Sequence, residues 1–132
     1  MTIFTKIING DIPSYRIAEN DKFYAFLDIA PLAEGHTLVV PKVEVDKFFE
    51  IPDVYLAEFL LFAKKVSEAL ERSFECNRIG VTVIGLEVPH AHMHLIPING
   101  VDDMNFSRPK LKLSPEQFKG IQEKILANFE ER

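Results

Sequence analysis

The chain has one cysteine, no tryptophan, no excess of basic residues and no apolar run long enough to cross a bilayer. A lone thiol, Cys76, permits no intrachain disulfide, and its flank Phe74-Glu75-Cys76-Asn77-Arg78 holds no second thiol. It reads as a simple buried or half-buried side chain. The absence of tryptophan carries no functional meaning. Against 20 acidic side chains stand 15 basic ones, a formal charge of −5, so neither a DNA or RNA polymer nor an anionic membrane finds a basic stripe to grip. A small anionic ligand stays compatible, because a local pocket can differ from the net field. Residues 1–8 are interrupted early by polar side chains and no small-residue cleavage site follows, unlike a signal peptide, so the cytoplasm is the expected location.

What is present describes one folded domain spanning residues 1–132, since 47% of the residues are hydrophobic, 27% are charged and eleven are phenylalanine. Phe4, Ile7 and Ile8 share a helical face that Thr2 can cap and Gly10 can end. Tyr15–Glu19, Phe23–Asp28 and His36–Val40 read as three neighbouring antiparallel strands. A long helix runs from Asp53, as cap, to Phe74, with Leu56, Phe59, Leu60, Ala63, Val66, Ala69 and Leu70 on its apolar side. Leu61 and Phe62 widen that side toward the sheet or toward another subunit. Arg78–Ile84 is a further strand, interrupted by Gly85. The segment from Asn99 to Lys112 has no clear period. Ser114-Pro115-Glu116-Gln117 then opens a C-terminal helix over residues 114–130 with a serine cap, proline at the first position and a reciprocal glutamine. The expected fold class is α+β, one antiparallel sheet with packed helices.

All but one of the four histidines lie in a five-residue run, His90-Ala91-His92-Met93-His94; the other is His36. Period two in a strand places His90, His92 and His94 on one face, roughly 6.5–7 Å apart along the chain, and Ala91, Met93 and Leu95 on the other, where they can pack under a helix. Such a row supports three readings. It can fill a half-exposed structural face. It can hold a metal, with His36 as a distant ligand, although no cysteine pair or His-Glu-x-x-His pattern accompanies it. Or it can do phosphorus chemistry, because an imidazole attacks phosphorus, exchanges protons near neutral pH and, when protonated, stabilises a phosphoryl oxygen.

The run His90-Ala91-His92-Met93-His94-Leu95-Ile96-Pro97 resembles the His-x-His-x-His signature of the histidine triad family of nucleotide-binding proteins. Gly85 and Val88 stand at the expected positions before it. Phe26-Leu27-Asp28 and Gly35-His36-Thr37-Leu38-Val39-Val40-Pro41-Lys42 resemble a second signature, and Phe4, Ile7 and Gly10-Asp11-Ile12-Pro13 fit the opening, so the motif-bearing core covers residues 3–97.

The resemblance implies a histidine triad-like fold and roles for single residues. His92 is the expected nucleophile, carrying a transient nucleotidyl group. His90 orients that ring, His94 contacts phosphate oxygen and supports proton transfer, and His36 completes the hydrogen-bonded support. Asp28 accepts hydrogen bonds from the ribose hydroxyls. Ile7, Ile12, Phe23, Phe26 and Leu38 are candidates for enclosing the base, or for ordinary core.

The expected activity is metal-independent hydrolysis, or nucleotidyl transfer, of nucleoside monophosphate conjugates such as phosphoramidates or phosphoanhydrides. The alternative is a nucleotide-binding regulatory or interaction protein with little turnover. The expected partners are a purine nucleotide or nucleotide conjugate and a second copy of the chain in a homodimer. No cofactor is required, with adventitious zinc possible on the histidine row. One stretch departs from the pattern: Gly85-Leu86-Glu87 stands where many members have Gly-Gln-Ser or Gly-Gln-Thr. Leu86 has no hydrogen-bond donor, and an ionised Glu87 repels an anionic leaving group. Ile79 falls near a position where members often have a polar amide.

Overall fold

The structure, a computed structural model, describes residues 1–129. In chain order it holds α1 (Ile3–Ile8), β1 (Arg16–Glu19), β2 (Phe23–Leu27), β3 (Thr37–Pro41), α2 (Asp53–Ser73), β4 (Arg78–Thr82), β5 (Met93–Ile98) and α3 (Pro115–Ala127), with 3-10 turns at Phe48–Glu50 and Val101–Met104. The strands form one five-stranded antiparallel sheet in the order β1-β2-β3-β5-β4. The α+β reading therefore holds.

Side-chain alternation gives the sheet two unlike faces. Phe23, Ala25 and Leu27 of β2, Val39 of β3, and Met93 and Leu95 of β5 join Phe59, Phe62, Val66 and Leu70 of α2 and Phe118, Ile121 and Ile125 of α3 in the main core. Tyr24, Phe26, Leu38 and Val40 point the other way and meet Phe4 of α1 in a smaller cluster. Ala91 also lies in the main core. The apolar members of the histidine run thus pack toward the helices, as period two requires.

The caps explain the helix ends. Thr2 Oγ1 accepts from the Thr5 N–H at 3.1 Å, and Gly10 takes φ +83° just beyond α1. Ser114 and Gln117 form the reciprocal box at α3. The position Glu130, expected to end that helix, lies outside the described residues. At α2 the cap is Pro52, not Asp53: the Pro52 carbonyl accepts from Tyr55 and Leu56 N–H at 2.9 Å each, and Asp53 sits in the first turn, where a carboxylate suits the helix dipole. Phe74 follows the helix as its C-cap.

Further expectations need correction. Leu60 is 67% and Leu61 64% exposed, whereas Phe62 is buried. Leu60 lies one residue, about 100°, from the inward Phe59, which rotates it off the sheet. Phe23 belongs wholly to the helix-side core and cannot enclose a ligand on the α1 side. β4 stops at Thr82 rather than Ile84, because its pairing with β5 ends at Thr82↔His94. β5 starts at Met93, so His90 and His92 precede the ladder; there the Ala91 N–H donates to the Val45 carbonyl at 2.7 Å instead of to a strand.

Gly35 adjoins His36 at φ +93°, and a Cβ there would stand 2.5 Å from Phe74 Cε2. Both the positive φ and the rigid ring disfavour a side chain. Gly35→Ala is expected to lower unfolding free energy by about 1–3 kcal/mol in urea titrations. An unchanged midpoint would show that Phe74 moves freely.

Candidate functional site

The α1 face of the sheet carries a cavity of about 480 Å³. Asp28 enters the lining directly after β2, β5 presents His94, the preceding segment presents His92, and the loop Ile84–Val88 forms part of the mouth. Ile7, Ile12, Phe26 and Leu38 line the apolar part. His36 and His90 lie behind the lining and are almost fully buried. Of the residues expected at the site, Phe23 alone belongs elsewhere.

Each histidine is assigned a tautomer by groups it touches. The Leu32 N–H donates to His36 Nδ1 at 3.0 Å, which leaves the His36 proton on Nε2. Nε2 donates to His94 Nδ1 at 2.9 Å, so His94 carries its own proton on Nε2. His90 Nε2 donates to the Pro41 carbonyl at 2.9 Å, and His90 Nδ1 accepts from Thr2 Oγ1 at 2.7 Å. His92 Nδ1 donates to the His90 carbonyl at 2.8 Å, so Nε2 keeps the lone pair in the neutral ring. Phe4 packs edge-on against His90 and His92, with centroids 5.7 and 5.1 Å away, and holds both planes. The result is an unprotonated nitrogen on His92 beside an N–H on His94, the two rings 5.1 Å apart. Such a pair can attack an electrophile and donate a hydrogen bond to the charge that develops on it.

Burial sets the charges. It pushes His36 down to about 3, with the charges of His94 and Lys110 adding to the effect. It pushes His94 down to about 4, helped by His92. His90 is lowered for the same first reason. Burial raises the Asp28 carboxyl, opposed by the Ala30 N–H that donates to its Oδ1 at 2.9 Å. Asp28 Oδ2 lies 3.5 Å from His36 Nε2.

The donor atoms of Asp28, His36 and His94 all fall within 4.8 Å of one another and could hold an ion, provided the His36–His94 hydrogen bond gave way. This moves the expected zinc position. The row itself is a poor host, because both His90 nitrogens and His92 Nδ1 are engaged.

Phe106 and Lys110 are among the lining residues that escaped sequence reasoning. Both come from the segment without a period. Phe106 lies 4.8 Å from the His94 ring and 6.0 Å from His36. The available signal was an aromatic and a lysine in a short link between a strand and a strongly capped helix. Thr2 was legible as a cap but not as the partner of His90.

The neutral, buried histidines make stability pH-dependent. Between about 6.5 and about 4, the unfolded chain binds protons on His36 and His94 that the folded chain refuses. Stability should therefore fall as pH is lowered through that window, by up to about 1.4 kcal/mol per pH unit for each ring. Asp28, whose carboxyl is raised by burial, acts in the opposite direction. Urea unfolding at pH 7 and pH 5 checks this; greater stability at pH 5 would contradict it.

A family model described as HIT domain matches residues 9–100. An uncharacterized HIT-like protein of Borreliella burgdorferi is 40% identical, over 96% of this chain and 97% of its own length. An adenosine 5′-monophosphoramidase of Schizosaccharomyces pombe is 37% identical, over 93% of this chain and 94% of its own. The crystal structure of a HIT-like protein from Bartonella henselae superposes with a TM-score of 0.83 at 30% identity, covering 96% of this chain and 95% of that one. With His92 and His94 on the cavity wall and His90 and His36 buried behind them, the chain belongs to the HIT, or histidine triad, family of nucleotide-binding proteins.

Proposed function

We propose that the chain hydrolyses nucleoside monophosphate conjugates, phosphoramidates above all, through a transient nucleotidyl group on His92. The observation that carries this reading is the hydrogen bond from His92 Nδ1 to the His90 carbonyl, which leaves Nε2 as a nucleophile on the cavity wall. The S. pombe relative named as a monophosphoramidase supports the reaction class.

In the first step His92 Nε2 forms a bond to the α-phosphorus, and the bond from phosphorus to the leaving amine breaks. The leaving amine takes its proton from water at the cavity mouth, while the His94 Nε2–H donates a hydrogen bond to a phosphoryl oxygen. In the second step water adds to phosphorus, the bond to His92 breaks, and the proton that the added water loses goes back to the solvent. The His36–His94 hydrogen bond holds His94 in the tautomer that both steps need. His90 positions His92 through its carbonyl. Asp28 accepts from the ribose hydroxyls, and Ile7, Phe26 and Leu38 enclose a purine.

The reading as a nucleotide-binding regulatory protein draws on one feature: Leu86 and Glu87 occupy the mouth where phosphate donors would serve turnover. Trapping separates the two, because only the hydrolase forms the covalent species. Two copies of the chain form the proposed assembly. The edge strand β4, with Val81 exposed, and the exposed Leu60 and Leu61 of α2 favour that pairing. The cytoplasm is the proposed location, which the lone thiol suits. Among the described residues, no helix is long and apolar enough to cross a membrane.

Acid quench of the protein with adenosine 5′-phosphoramidate, followed by peptide mass spectrometry, should find adenylate on His92. His92→Ala should lose at least about a thousandfold in turnover while melting as a folded protein. Equal turnover in that variant would sink the nucleophile assignment. Asp28→Ala should weaken AMP about tenfold and 2′-deoxy-AMP much less, measured by calorimetry. The same loss for both nucleotides would remove Asp28 from the ribose site.

A further inference from the structure

The cavity has an electrostatic problem that the histidine signature does not solve. Its lining includes the carboxylates of Asp28 and Glu87, both unfavourable for a phosphate. The buried His36 and His94 are uncharged at neutral pH. Leu86, 89% exposed at the mouth, offers no donor. Among the described residues lining the cavity, one Lys or Arg side chain is present: Lys110.

Lys110 is held there by local structure. Residues 99–112 form a strap from the end of β5 toward α3. Its first turn is closed by Asp103 Oδ2, which accepts from Asn99 N–H at 2.7 Å and Gly100 N–H at 3.1 Å. Arg108 Nη1 reaches Asp103 Oδ1 at 3.2 Å and the Asp102 carbonyl at 3.1 Å. The Leu111 N–H donates to the Pro31 carbonyl at 2.8 Å, tying the strap to the loop between β2 and β3. Phe106 seats against the rings of His94 and His36. The Lys110 ammonium donates to the carbonyls of Phe106 and Arg108, which restrains a side chain that would otherwise be mobile. An ammonium has three protons, so one is left for a ligand. The strap's charge-bearing part lies beyond residue 100, where the family match ends.

We propose that Lys110 is the cationic phosphate-binding residue of this cavity, supplying from the strap the charge and the donor that Leu86 and Glu87 do not supply from the histidine loop. This rests on the reading of the cavity as a nucleotide site. Lys110 would act on the charge of the phosphate, not on the base or ribose. Its effect should therefore separate a nucleotide from its nucleoside. A purely structural role, stapling the strap through the two carbonyls, would affect both ligands alike.

The test compares Lys110→Met and Lys110→Arg with the unaltered protein, using AMP and adenosine as probes in calorimetry and adenosine 5′-phosphoramidate in steady-state kinetics. Lys110→Met should weaken AMP about tenfold, leave adenosine within about twofold, and flatten the dependence of AMP affinity on sodium chloride. Its KM for the phosphoramidate should rise. Lys110→Arg should recover most of the AMP affinity, because the charge is kept. Equal weakening of AMP and adenosine would reduce Lys110 to a staple and overturn the inference. So would AMP binding indifferent to Lys110→Met in a protein that still forms the His92 adduct; that result leaves the proposed function standing. Unaltered protein that binds no AMP would overturn both together.

Discussion

The carbonyl oxygen of His90 decides which edge of His92 meets a ligand, since it takes the Nδ1 proton at 2.8 Å and leaves Nε2 bare. The same logic runs through the other rings. A backbone N–H from Leu32 fixes His36, His36 fixes His94, and the Pro41 carbonyl with the Thr2 hydroxyl fixes His90. Imidazoles in water exchange tautomers freely. Here His36 and His90 have lost water as a partner, so reversing a ring would leave a buried donor or acceptor unmade, at a cost of about 1–3 kcal/mol each. Orientation is thus settled before any substrate arrives, which is the condition for efficient nucleophilic and acid–base work.

The two faces of the sheet make this possible. The segment that carries the histidines sends Ala91, Met93 and Leu95 into the core beneath α2. That packing anchors the backbone whose carbonyls and N–H groups hold the rings. On the opposite face, α1 adds Phe4 against His90 and His92, and Thr2, the cap of α1, also reaches His90. A helix of six residues is thus tied directly to the site. The loop between β2 and β3 contributes in the same way through Leu32, and the Gly35 turn before His36 keeps that loop close.

Much of this was legible in the residues, for physical reasons. Alternation alone separated His90, His92 and His94 from Ala91, Met93 and Leu95, because the pleat is geometric and survives even where the ladder does not. The cap chemistry of Thr2 and Ser114 is local and read correctly. Asp53 has the chemistry of a cap, but Pro52 already supplies the carbonyl that starts α2. Leu60, an apolar residue next to the core position Phe59, shares its composition but not its direction. Phe23 and Phe26 look alike as letters, yet their odd spacing puts them on opposite faces of β2. Phe106 and Lys110 left no periodic trace: they reach the cavity through a strap held by side-chain and backbone bonds to Asp103 and Pro31, contacts that no sequence period encodes.

Long-range proton–nitrogen correlation spectra of the histidine side chains at neutral pH address the tautomer arrangement directly. They should show the His92 proton on Nδ1 and the His94 and His36 protons on Nε2. A His92 proton found on Nε2, with Nδ1 bare, would contradict the assignment of His92 as the nucleophile.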